Sequence, residues 1–139
     1  MSDYPKTTVR VAAFVRRHWK GCRRWPRQLL LAWVQWFIDH NRFQGITEGG
    51  RVVGVAMYRF VDVEEDVTQH NYRDTGGKLA FVALCTGKTA GIMRHLYHMA
   101  MDAGMKACEK ICWARDKHCG RGSIYNINKL NRRFNYGKS

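Results

Sequence analysis

Apolar positions along this chain repeat with two different periods, and the switches between them mark its elements. From Val9 to Trp19, the residues Val11, Ala12, Phe14 and Val15 gather on one side before the segment turns basic at Arg16, Arg17 and Lys20. That pattern predicts a helix, broken at Gly21. Pro26 suits a first helical position, where a missing N–H costs nothing, so Arg27 to His40 is expected to be a second helix. Leu29, Leu30, Leu31, Trp33, Val34, Trp36, Phe37 and Ile38 cover most of its circumference. Such a helix is buried by the core on one side and needs a further cover on the other.

The period then shortens. Phe43 to Glu48 and Arg51 to Val61 are rich in β-branched and aromatic residues, with Gly49-Gly50 between them. A Gly-Gly pair in that setting predicts a hairpin, because primed turns need positive φ. Asp62 to Gly77 is polar and reads as a loop; it concentrates acidic residues at Asp62, Glu64, Glu65 and Asp66. Leu79 to Cys85 is a short apolar run, expected to be a central strand buried on both faces. The stretch Thr86 to Gly91 reads as a glycine-containing loop, followed by a helix from about Ala90 to Ala103 with Gly104 at its end. Cys108 to Ala114 is a further predicted strand with Cys108, Lys110 and Cys112 on one face. Ser123 is a candidate cap for a last helix through Leu130.

One hundred and thirty-nine residues with 45% hydrophobic content suit a single domain with one core over 1–139. Lys and Arg number 24 against 11 Asp and Glu, giving +13, a charge that draws phosphates and other polyanions. The five cysteines are an odd count with no secretory signal ahead of them, so free thiols and a cytoplasmic location are expected. The longest apolar run, Leu29 to Ile38, is about half the length that a bilayer needs, so no membrane span is expected.

A buried strand that ends in a glycine loop opening a helix is an anion-binding device, since free N–H groups and the helix dipole both face outward there. In Cys85-Thr86-Gly87-Lys88-Thr89-Ala90-Gly91, the two glycines would let a phosphate approach the backbone and Lys88 adds charge. The spacing is not that of a P-loop, because Val82 stands where its first glycine would be, and no Gly-x-Gly-x-x-Gly occurs.

The hairpin sequence Glu48-Gly49-Gly50-Arg51-Val52-Val53-Gly54 and the order of elements resemble the GNAT acetyltransferases over roughly residues 28–134. The resemblance implies an α/β fold with a mixed, mainly antiparallel central sheet flanked by helices, in the order α-α-β-β-β-α-β-α. It implies acetyl-CoA as cofactor and transfer of the acetyl group to an amine that the sequence does not identify. By the same resemblance, Val82, Ala83, Leu84 and Cys85 would meet the pantetheine arm. Thr86, Gly87, Lys88, Thr89, Ala90 and Gly91 would hold the pyrophosphate. Tyr125 would protonate the departing sulfur. The sequence departs from the family pattern at Thr86 and Thr89 in the loop, and at His118 and Arg121 ahead of Tyr125. Glu64, Glu65 and Asp66 are the carboxylates nearest in sequence to the active face, and they also fit a solvated loop.

Three other groupings carry chemistry. Cys108, Cys112, His118 and Cys119 are metal-capable types, but thiols four apart on a strand stand about 13 Å apart, so buried thiols and no metal are expected. Cys85, beside a helix start, is a candidate for a lowered thiol pKa with His95 or His98 as partner, although an inert buried thiol is favoured. Arg16, Arg17, Lys20, Arg23, Arg24 and Arg27, with Trp19 and Trp25 among them, form the densest basic and aromatic stretch and a candidate nucleic-acid contact. Lys129, Arg132, Arg133 and Lys138 form a second basic group. The alternative to catalysis is therefore a non-catalytic protein of the same fold that binds nucleic acid or joins a larger assembly, a viral one included. A third reading makes the apolar helix 27–40 a dimer or partner interface.

Overall fold

A computed structural model describes residues 4–62, 74–114 and 122–137. Two helices, α1 (Lys6–His18) and α2 (Arg27–Asp39), open the chain and are joined through a 3-10 turn at Lys20–Cys22. Strands β1 (Phe43–Glu48), β2 (Arg51–Val61) and β3 (Leu79–Gly87) follow, then helix α3 (Ala90–Asp102). Strand β4 (Lys110–Ala114), strand β5 (Gly122–Asn126) and helix α4 (Ile127–Arg133) complete it. The sheet runs in the order β1-β2-β3-β4-β5. Its neighbours are antiparallel except β3 and β4, which lie parallel with α3 as the crossover between them.

The hairpin forms as its glycines demand: Gly49 and Gly50 take φ of 58° and 79°, which only a primed turn uses at both positions. Each face of the sheet then buries its own cluster. Val55, Met57, Phe81 and Ala83 pack against α1 and α2, while Tyr58, Ala80 and Val82 pack against α3 and α4. The far side of the apolar α2 is covered within the chain. Thr8 of α1 donates to Gln35, Trp19 stacks on Trp33 at 5.3 Å, and Trp25 meets both rings edge-on. Trp19 and Trp25 therefore point inward. Among the described residues Leu29, 43% exposed, is the large apolar side chain left outside. Arg59 is wholly buried in β2, its guanidinium 4.6 Å from the centre of the Phe81 ring, a contact that offsets part of its desolvation.

Three boundaries differ from those expected. Thr86 and Gly87 extend β3 rather than forming loop, because they pair with Val55 and Gly54 of the long strand β2. Ser123 does not cap a helix: residues 122–126 pair with β4 as β5, and Asn126 caps α4 instead, accepting from the N–H of Asn128 at 2.8 Å. Cys108 precedes β4, where it closes the 3-10 turn Met105–Ala107. It packs on the α3 face while Cys112 packs on the α1 face, so the two thiols do not share a side. Among the described residues, no helix is long and apolar enough to cross a membrane.

Candidate functional site

The geometry of the site begins with a bulge. Met57 pairs with Leu84 and the next residue, Tyr58, pairs with Val82, so Ala83 is an extra residue in β3. Side-chain alternation resets there, and the adjacent Ala83 and Leu84 both join the α1 and α2 face. A bulge bends its strand and sharpens the local twist. Among the described residues, the parallel pairing with β4 runs from Leu79 with Lys110 to Val82 with Trp113, and β3 itself runs on to Gly87.

At the end of that strand, Thr89 caps α3, its hydroxyl accepting from the N–H of Ile92 at 3.1 Å and its carbonyl from the N–H of Met93 at 3.1 Å. The N–H of Lys88 is taken by the carbonyl of Val53 at 3.0 Å. Ala90 and Gly91 supply the remaining first-turn donors, and among the described residues neither has an acceptor. A side chain built on Gly91 would meet only the Thr89 hydroxyl, at 3.8 Å. The helix start is therefore open, positively polarised and wide enough for an anion.

Two glycines set this helix in place. A Cβ on Gly54 would lie 2.5 Å from Ile92, and one on Gly87 would lie 2.7 Å from the same side chain. The two glycines face each other across β2 and β3, so α3 settles onto a flat window in the sheet and its first turn reaches the strand end.

The remaining candidates fall in several places. Val82, Ala83 and Leu84 are buried and Cys85 is partly so, while Lys88, Thr89, Ala90 and Gly91 are exposed. Burial pushes the Cys85 thiol up to about 12, so it is neutral and no activated nucleophile; His98 is held by the carbonyl of Phe134 at 2.7 Å, and His95 is exposed. Burial likewise raises the Cys108 thiol to about 11. Tyr125 stands on β5 opposite Ile111, which is itself level with Ala80. That puts it two strands, about 10 Å, from β3, and roughly 15 Å short of Cys85 along the strand direction. The Lys129 ammonium lies 5.8 Å from its ring. Glu64, Glu65, Asp66, His118, Cys119, Arg121 and Lys138 lie outside the described residues. Among the described residues, no three His, Cys, Asp or Glu side chains come together as a metal site would need.

The basic stretch divides. Arg16 donates to the carbonyls of Cys22, Arg23 and Trp25 at 2.6, 3.2 and 2.8 Å, bracing the turn between α1 and α2. Arg17, Lys20, Arg23, Arg24 and Arg27 are exposed. Nothing in the residue pattern announced a cavity of about 440 Å³ that brings Arg17 together with Arg10, Arg51 and Lys88. Arg10 and Arg17 share a helix face by their spacing of seven, but their approach to Arg51 and Lys88 is a product of the fold.

No protein-family model matches this sequence, and no curated protein does. Solved structures do. A GNAT-like decarboxylase, GphF in complex with isobutyryl-CoA, matches with a TM-score of 0.60 at 15% identity over 79% of this chain. The loading GNATL domain of CurA from Lyngbya majuscula matches with a TM-score of 0.59 at 11% identity over 80% of it. The match spans 62% of each of those two chains. With its bulged central strand, its glycine-seated helix and these structural likenesses, the chain is a divergent protein of the GNAT fold.

Proposed function

We propose that this protein binds an acyl-CoA, acetyl-CoA in the first instance, at the end of β3 and passes the acyl group to an acceptor amine. The observation that carries the reading is the conjunction of a bulge in β3 at Ala83 and, at the end of that strand, a helix start whose Ala90 and Gly91 donors have no acceptor among the described residues. The N–H groups of Ala90 and Gly91 would hold the diphosphate, aided by the dipole of α3. The backbone beyond Val82 would pair with the pantetheine arm, and its amides would face the thioester oxygen. GphF, which shares this fold, is in complex with isobutyryl-CoA, and that supports the same class of ligand here. When bound, acyl-CoA supplies a thioester whose C–S bond breaks as the C–N bond to the amine forms. The acceptor amine loses one proton and the departing sulfur gains one. Tyr125 is the acid that the family resemblance suggests, but its level in the sheet favours binding and positioning, over acid catalysis, as what the described residues provide.

Calorimetry with acetyl-CoA tests the binding half. A Cβ at Gly91 would be in ordinary contact with the Thr89 hydroxyl alone, at 3.8 Å, on an exposed first turn, so Gly91→Trp should fold and bind at least tenfold more weakly. Absence of wild-type binding at millimolar acetyl-CoA would remove the reading.

A further inference from the structure

A second site lies on the α1 side of the sheet end. Its cavity of about 440 Å³ is lined by Arg10, Ala13, Phe14, Arg17 and His18 of α1, by Gly50, Arg51 and Val52 of the hairpin, and by Lys88. That volume falls within the range of small-ligand sites. Among the described residues, no carboxylate lines it. The side chains of Arg10, Arg17, Arg51 and Lys88 form no ion pair or hydrogen bond with any described residue, and the side chain of Glu48, directly across the hairpin from Arg51, makes none with it. Four cations gathered around one concavity repel one another, and among the described residues no anion is paired with them to offset that.

We propose that this cavity is a binding site for nucleotide phosphates. Arg10 and Arg17 stand two helical turns apart, about 10 Å, so they serve separate anionic groups, as neighbouring phosphates of a strand would provide. The exposed His18 ring is backed by the buried Phe14 ring at 4.3 Å, which places one aromatic face beside the cations where a base can stack. Gly50, at the tip of the hairpin, leaves the backbone open to close approach. Ala90 and Gly91, the donors assigned to the acyl-CoA diphosphate, do not line this cavity, and Lys88 is the residue that the two regions share.

Fluorescence anisotropy with a short labelled single strand, in parallel with calorimetry of a free mononucleotide, tests it. A strand should bind with an affinity that falls steeply with salt, with a slope of about −0.7 for each phosphate engaged. Arg10→Ala, Arg17→Ala and Arg51→Ala should each weaken binding about three- to tenfold and flatten that slope. The pair Arg23→Ala and Arg24→Ala, outside the cavity, should matter less. Binding of the mononucleotide alone would support the site and identify free nucleotide as its source. Neither ligand binding at about 50 mM salt, or an equal loss in the Arg23 and Arg24 pair, would overturn the proposal. Acetyl-CoA affinity should survive the triple arginine variant; its loss there would make the cavity one end of the acyl-CoA site and overturn the claim of a separate one.

Discussion

The carboxylate of Asp74 accepts from Arg42 at 2.7 Å and from the N–H groups of Phe60 and Gly76 at 3.1 and 3.0 Å. Burial raises its pKa, but the Arg42 hydrogen bond, the two N–H groups and the Arg42 charge outweigh that, so the carboxyl sits below its ordinary value. A depressed carboxylate adds stability that is fully present above its unfolded pKa, near 4, and is lost as pH falls through the folded one. Asp74→Asn should therefore cost roughly 2 kcal/mol near neutral pH, and the gap to wild type should close in acid. Denaturant melts at both ends of that range check it, and a gap that does not change with pH contradicts it. Tyr125→Phe asks a different question. Because the Tyr125 backbone is in register with Ile111 and so with Ala80, acetyl-CoA binding should be unchanged and any turnover should stay within about twofold; a hundredfold loss would give the residue its general-acid role after all. Position in the sequence made Tyr125 a candidate, but its height in the sheet depends on the pairing of β5 with β4.

Among the elements, α3 depends most on what lies beneath it. Gly54 and Gly87 let Ile92 and Leu96 approach the sheet, so Gly54→Ala should cost about 1–3 kcal/mol through overpacking. Gly91→Ala, facing open space, should cost nothing or stabilise slightly. Equal melting of the two variants would mean that the glycine window does not seat the helix. The hairpin and the central strand were readable from the chain because their signals are local: two glycines at a primed turn, and an apolar run of strand length. The fifth strand was not. Its residues pair with β4 only once the sheet exists, and Ser123 offered a plausible helix start that this pairing overrides. The bulge at Ala83 has no local signature either, since it shows only as a step in register against β2.

Across the whole molecule, a net charge of +13 predicted an anionic partner but not where it would sit. The densest basic stretch in the sequence is partly structural, with Arg16 spent on three carbonyls, whereas the cavity gathers cations from three separate elements. Architecture at that scale follows from strand order and crossover, and the hairpin motif at Glu48 to Gly54 together with the element order was enough to suggest it. The acyl-CoA reading turns on the backbone beyond the bulge. Amide NMR during an acetyl-CoA titration reports on it directly. The largest shifts should fall on Ala90 and Gly91 and on Leu84 to Thr86. Saturable binding that leaves those amides unmoved would contradict the account.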